Sequence, residues 1–348
     1  MAVSFGLVIA AFVVCQLLIN AGQMSRSLKG QLVPICAYVV MAVSLNLVVG
    51  FSGELSLGHA GFMSIGAFTG VVVSGWLLGA FQMENETLRL IIALVTGGIL
   101  AGVFGFLIGI PVLRLQGDYL AIVTLAFGEI IRNLINCIYI NLEEGRLLFA
   151  FDNPDLPGKA LLAGAKGTVS VARISTFTAG IVLVLFTLFV VLNLVNSRTG
   201  RAIMACRDSR IAAESVGINP TRYKMIAFVT GAVLAGMAGA LFGLNQGNIS
   251  AVKFDYNTSI LILVYVVLGG IGNIWGCILS TSLLVILPQV LQNIDLTLFG
   301  RQIDFSKTYM LLYAILLIAV MLLSNNPAIN GLKNRILSKN KTKGGLGK

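Results

Sequence analysis

Two apolar stretches interrupted by glycine decide how this chain folds. Residues 45–68 read LNLVVGFSGELSLGHAGFMSIGAF, and residues 267–290 read VLGGIGNIWGCILSTSLLVILPQV. Both are apolar enough for membrane-spanning helices, but their glycines favour a break or a re-entrant turn over one plain helix. We therefore expect the regions 55–81 and 259–291 to be glycine-interrupted or re-entrant, with non-helical backbone that lines protein or a water-filled cavity.

The surrounding composition is that of a protein whose main solvent is lipid. Hydrophobic residues make up 57% of the 348 residues, charged residues make up 11%, and the mean hydropathy is +0.93, whereas a soluble domain carries roughly 25% charged residues. Apolar runs near membrane-spanning length recur at 3–22, 31–50, 88–110, 119–140, 174–195, 225–246 and 309–323. The sequence predicts an all-α polytopic membrane protein, a helical bundle of about 8 to 11 membrane segments.

Basic residues indicate the cytoplasmic side, since Lys and Arg concentrate in cytoplasmic loops. Region 198–224 holds six basic residues against two acidic ones, while the loop 141–173 balances four against four. We expect region 198–224 in the cytoplasm, together with Arg26 and Lys29. Both interrupted regions must then cross the membrane an even number of times. Because each half of the chain contains one such glycine-interrupted region, the sequence also predicts an internal repeat.

The chain is expected to form one transmembrane domain, 1–330, followed by a basic cytoplasmic tail, 331–348. Its net charge of +10 gathers in a few loops and the tail without interleaved aromatic residues, which argues against a nucleic-acid partner. The five cysteines form no CxxC pair, so free thiols and no metal or other cofactor are expected. The sequence shows no nucleophile motif and no phosphate-binding loop in a strand-to-helix context, which predicts a protein without catalytic residues that is not an enzyme.

The most informative local stretch is RTGRAIMACRDSRIAAESVGINPTRYKMIAF, residues 198–228. Asp208 or Ser209 is suited to cap a short helix there, and Gly217 is suited to end it. This pattern predicts a compact helix within a cytoplasmic loop at about 197–225. The loop is either an ordinary basic connection or a docking element for another protein.

Several motifs resemble a known family. Ala212, Ala213 and Glu214 with Gly217 resemble the coupling loop of ABC importer permeases. The stretches 45–68, LRLQGDYLAIVTLAFGEIIRN at 113–133 and 267–290 are similar to the branched-chain amino acid permease family, in particular its LivM-type members. The resemblance implies a permease subunit of an ABC importer that moves branched-chain amino acids, or a related small polar solute, across the bacterial inner membrane.

The resemblance also implies partners and a coupling site. The partners are a second homologous permease subunit, two cytoplasmic ATP-binding subunits and an extracytoplasmic solute-binding protein, with the permease embedded in membrane lipid. Coupling to the ATPases is assigned to Arg201, Asp208, Ala212, Ala213, Glu214 and Gly217. An ion-coupled secondary transporter or channel is the alternative, since it would also use broken helices and buried charges.

Polar residues inside the predicted spans are candidates for a substrate pathway, because such residues are costly in lipid. Glu129 and Arg132 stand at i, i+3 spacing near mid-membrane, which permits either a structural ion pair or a pathway role. Glu54 and His59 flank the first glycine break and either satisfy backbone groups or contact the solute. The candidate pathway is completed at the second break by Gly269, Gly270 and Gly272.

Overall fold

The computed structural model describes residues 26–292, except 116, 153–155 and 170, together with isolated residues between 6 and 21 and between 297 and 318. The pattern of contacts between residues divides the chain into two compact units, Met1–Ser282 and Leu283–Lys348. Apart from isolated positions, the predicted spans 3–22 and 309–323 and the tail 331–348 lie outside the described residues.

The described residues of the first unit are mostly helical, as the composition predicts. The helices are α1 (Arg26–Asn46), α2 (His59–Phe81), α3 (Glu86–Val112), α4 (Asp118–Asn136), α5 (Phe177–Asn196), α6 (Arg198–Asp208), α7 (Arg210–Ser215), α8 (Pro220–Gln246), α9 (Tyr256–Gly269) and α10 (Ile274–Gln292), which continues past Ser282. Among the residues that the structure describes, five helical segments are long and apolar enough to cross a membrane, namely Leu28–Phe51, His59–Phe81, Glu86–Val112, Phe177–Asn196 and Pro220–Gln246. The prediction of an all-α polytopic membrane protein is confirmed.

A small antiparallel sheet lies between α4 and α5, where the sequence indicates only a loop. Its strands are β1 (Ile138–Glu143), β2 (Arg146–Phe151) and β3 (Lys159–Ala163), in the order β2-β1-β3. Glu144 and Gly145 connect β1 to β2, and both have positive φ, as a tight two-residue hairpin turn requires. The described part of the second unit holds the end of α10 and the strand pair β4 (Thr297–Leu298) and β5 (Arg301–Gln302).

Glycines let α2 and α8 pack at close range instead of breaking α2. A Cβ on Gly66 would overlap the backbone carbonyl of Gly236, and a Cβ on Gly239 would overlap the carbonyl of Met63. Small residues permit this close approach of helix backbones in membranes. The region 55–81 is therefore non-helical only at 55–58, and the expected interruption around Gly61 and Gly66 is wrong.

The true first break precedes α2, and the second lies where the sequence predicts it. A π-helical turn, Leu47–Phe51, ends α1, and Gly53 with φ +74° starts an irregular stretch to residue 58. At 270–273, Gly270 and Gly272 have φ of +93° and +81°. Beyond this turn the Ser280 hydroxyl donates to the Tyr265 carbonyl at 2.6 Å, so the start of α10 runs back along α9. The predicted hairpin in 259–291 is confirmed.

The direction of α1 overturns one part of the predicted topology. A Cβ on Gly180, near the start of α5, would lie 2.9 Å from the Cβ of Cys36. At the far end of the π-helical turn, the Gly50 carbonyl accepts a hydrogen bond from Arg207 of α6. α1 therefore runs toward α6, and Lys29 lies at the opposite end of the first unit.

Arg26 and Lys29 thus do not share a side with region 198–224, contrary to the sequence expectation. α2 is one continuous helix, His59–Phe81, that is long and apolar enough to cross a membrane once, so the even number of crossings expected for 55–81 is also wrong. Two basic residues bias membrane orientation less than the six of region 198–224 do. Region 198–224 is therefore still expected in the cytoplasm, which puts Lys29 on the outer side.

Cysteine labelling tests this orientation. In a chain whose exposed Cys137 is replaced by Ser, Lys29→Cys is expected to react with an impermeant thiol reagent from outside, and Ser215→Cys only from the cytoplasm. Native Cys206 will not interfere, because its thiol is buried and burial raises its pKa, which depletes the reactive thiolate. Reaction of Lys29→Cys from the cytoplasm alone would contradict this orientation.

Candidate functional site

The stretch between α5 and α8 forms a compact element of two short helices, which we call the coupling segment (197–217). Ser197 caps α6 by accepting a hydrogen bond from the Gly200 N–H at 3.1 Å. Ser209 caps α7 by accepting from the Ala212 N–H at 3.3 Å, and Gly217 follows α7 with φ +82°. The predicted helix with a serine cap and a terminal glycine is confirmed, preceded by a second helix, α6.

Two apolar side chains of the coupling segment are exposed to solvent. Ile211 is 82% exposed and Val216 is 73% exposed, although both lie in a polar stretch outside the apolar spans. Isolated exposed apolar residues are common, but two on one six-residue helix and its C-terminus offer a contact for another protein. A hollow of about 330 Å³ is lined by Glu214 of α7 and by the 217–221 turn.

The predicted coupling residues divide into exposed and buried positions. Arg201, Asp208, Ala212, Glu214 and Gly217 are exposed, and Glu214 pairs with Arg210 at 2.9 Å. Ala213 is 3% exposed and packs inside the protein. Ala213 is therefore not a surface contact, because α7 packs this position against the protein, and its assignment to coupling stays a prediction.

Arg207 of α6 connects the coupling segment to both helix breaks. Its guanidinium Nη1 donates to the Gly50 carbonyl at 2.6 Å, and its Cγ would lie 2.8 Å from a Cβ on Gly53. The Gly272 N–H donates to the Asn46 Oδ1 at 2.9 Å. We call Asn46, Gly50, Arg207 and Gly272 the break junction. It brings together two breaks that are more than two hundred residues apart in sequence.

Glu54 and His59 each contact another side chain of the protein. Glu54, in the first break, forms a largely buried ion pair with Lys224 in the first turns of α8. His59 is buried, and its Nε2 lies 2.8 Å from the Ser44 hydroxyl of α1. Both contacts tie the first break to its neighbours through side chains and not through freed backbone groups. The choice between a backbone-supporting role and a solute contact stays a prediction.

Glu129 and Arg132 form the predicted i, i+3 ion pair on α4, with 2.8 Å between Glu129 Oε2 and Arg132 Nη2. Glu129 Oε1 also accepts from the Tyr256 N–H at the start of α9, at 3.3 Å. About a quarter of each charged side chain is exposed, and Asn133 beside them is exposed. Charged groups at this depth avoid lipid and face protein or water. This polar face of α4 therefore needs a cover other than lipid.

The three glycines of the second break have different structural roles. Gly269 lies where a Cβ would overlap the backbone of Gly276 and Cys277, so it lets α9 and α10 approach. Gly270 supplies the turn, and Gly272 joins the break junction. The contacts of Lys224, Arg207 and Asn46 could not be predicted, since nothing in a single sequence pairs residues so far apart.

The chain is similar to several known proteins. A family model described as the permease component of branched-chain amino acid transport systems matches residues 28–321. The high-affinity branched-chain amino acid transport system permease protein LivM of Salmonella typhimurium is 35% identical over 301 residues, covering 82% of this chain and 66% of the relative, and LivM of Escherichia coli matches equally. The chain thus spans just under two thirds of these relatives.

A second type of relative also matches. The permease protein LivH of Salmonella typhimurium is 28% identical over 251 residues, covering 71% of this chain and 79% of the relative. No solved structure matches the chain.

Proposed function

This chain belongs to the family of branched-chain amino acid transport permease components, and from that premise we propose that it is a membrane-spanning permease subunit of an ATP-driven importer. It acts as part of a multi-pass inner-membrane complex, with the coupling segment and the tail 331–348 in the cytoplasm. The solutes are leucine, isoleucine and valine, the class that the names of its relatives carry.

The coupling segment is the observation that carries this proposal. A permease without a nucleotide site must receive the energy of ATP hydrolysis through contact with another chain, and the exposed Ile211 and Val216 offer an apolar contact for it. Behind them, Arg207 holds the first break. Movement of the coupling segment would therefore move both breaks of the break junction as one body.

The proposed complex has two permease chains, two cytoplasmic ATPases and an extracytoplasmic solute-binding protein. The polar face of α4 fits a contact with the second permease across the solute path, because Glu129, Arg132 and Asn133 would then face protein or water instead of lipid. The sheet β1–β3 lies at the end opposite the coupling segment and is available to the binding protein. We propose 1–330 as the single permease domain of this chain.

Variants of the Glu129 and Arg132 ion pair on α4 distinguish a structural role of the pair from a role in the solute pathway. Glu129→Gln or Arg132→Gln alone leaves one charge uncompensated, and is expected to lower the thermal stability of the assembled complex more than Glu129→Met with Arg132→Met does. If the double variant assembles normally but loses leucine uptake, the pair acts in the pathway. A double variant with full uptake would contradict a pathway role.

Copurification tests the assembly that the proposal requires. The tagged full-length chain, expressed with its genomic neighbours, is expected to retain a second permease and an ATP-hydrolysing subunit after detergent extraction. A secondary transporter would use an ion gradient and would need no such partner. Solute uptake by the chain alone, driven by an ion gradient, would overturn the proposal.

A further inference from the structure

A cavity of about 310 Å³ lies at the end of the first unit opposite the coupling segment, and we call it the strand-end cavity. The ends of α2, α3, β1 and β3 surround it. Glycines of α2 let the strands lie close to the helix: a Cβ on Gly75 would lie 2.7 Å from the Leu161 side chain, and a Cβ on Gly79 would overlap Leu142. The sheet therefore forms a fixed cap over the helix ends.

Arg89 is the unusual group in this cavity. It lies in the first turn of α3, is 3% exposed, and lines the cavity. Its Nε has no hydrogen-bond partner, and no described carboxylate lies within ion-pair distance of its guanidinium. The acid nearest in sequence, Glu86, is exposed to solvent one turn earlier. A buried guanidinium without a counterion is costly, so the site calls for an anion that the described protein does not supply.

The other lining groups fit the same conclusion. Lys159 of β3 lines the cavity as a second cation, and Ser74 of α2 lines it with a hydroxyl. No carboxylate is among the described lining residues, which favours a ligand with net negative charge over a zwitterion. The remaining wall is largely apolar, with Val71, Leu78 and Leu161 among its side chains.

We propose that the strand-end cavity binds the oxyanion of an amphipathic ligand, a carboxylate or a phosphate, with Arg89 as the buried anchor and Lys159 as the second cation. A guanidinium is suited to this task because its planar N–H groups match two oxygens at once. The volume is at the lower end for small-molecule sites and accommodates a branched monocarboxylate or the phosphate region of a lipid. This site is separate from the break junction and does not depend on the transport direction.

Thermal unfolding of the full complex tests the proposal, using complexes in phosphatidylcholine nanodiscs. The probes are isovalerate, inorganic phosphate and phosphatidylglycerol incorporated into the nanodisc. We expect at least one probe to raise the unfolding temperature. We also expect Arg89→Gln to weaken its apparent affinity about tenfold or more, the loss of a charge-assisted hydrogen bond. Arg146→Gln, which removes an exposed cation of β2 outside the cavity, is the matched control and should change nothing.

The three probes distinguish the sources of the oxyanion. Stabilisation by phosphatidylglycerol alone identifies a lipid headgroup, and stabilisation by isovalerate or phosphate in pure phosphatidylcholine identifies a free anion. Because Arg89→Gln could itself impair folding, Lys159→Gln, at the exposed first position of β3, provides a second variant and should also weaken the response. Equal responses of the unaltered chain, Arg89→Gln and Lys159→Gln, or no response to any probe, would overturn the proposal.

Discussion

Replacing Ile211 and Val216 together by Asp is expected to remove the ATPase subunits from the purified complex and to abolish solute uptake, while the permease still inserts into the membrane. Both side chains are largely exposed in the chain by itself, so the change has little effect on its own packing. In a docked complex, two carboxylates would be buried in an apolar contact, which costs about 2 kcal/mol or more for each central residue. Together they lower the ATPase affinity by roughly a thousandfold.

The measurement is quantitative copurification of the ATPase with the tagged permease, normalised to the permease in the membrane. Val252→Asp is the matched control, since Val252 is an exposed apolar residue, 61% accessible, in the short 3-10 turn that follows the far end of α8. It should leave ATPase binding unchanged. Full ATPase binding in the double variant of Ile211 and Val216 would contradict the assignment of α7 as the ATPase docking element.

Replacing Arg207 by Gln is expected to leave the ATPases bound but to disconnect their hydrolysis from transport. The change removes the short charged hydrogen bond to the Gly50 carbonyl, and such a bond contributes about 1.5–3 kcal/mol. The coupling segment would then move without moving the first break. We expect the number of solutes imported per ATP hydrolysed to fall about tenfold or more.

Arg198→Gln is the control for charge, because it removes an exposed cation from the start of the same helix. It should retain both ATPase binding and the transport ratio. The break junction does not transmit the movement of the coupling segment if Arg207→Gln imports the normal number of solutes per ATP hydrolysed. The same conclusion follows if Arg198→Gln lowers that number equally.

The sequence predicted correctly those features that depend on residues close together in the chain. The cap at Ser209, the end of α7 at Gly217, the turn at Gly270 and the pair of Glu129 with Arg132 each depend on residues a few positions apart. Helix length and hydropathy likewise predicted most of the described spans.

Contacts between distant residues set the rest. Gly66 looks like a helix breaker in one sequence, yet it packs against Gly236 across the membrane bundle. Glu54 and Lys224 are 170 positions apart, so their pairing has no local signature. Ala213 and Ile211 both suit a short helix, and only the packing of α7 on the protein determines that the alanine is inside and the isoleucine outside.

Uptake of radiolabelled L-leucine into proteoliposomes that contain the complete complex, with the solute-binding protein outside and ATP inside, tests the central claim most directly. The account predicts uptake that requires ATP hydrolysis, that persists when ion gradients are collapsed, and that is lost when Ile211 and Val216 are replaced by Asp. Uptake that continues without ATP, or that is unaffected by these two replacements, would contradict an ATP-driven permease coupled through this segment.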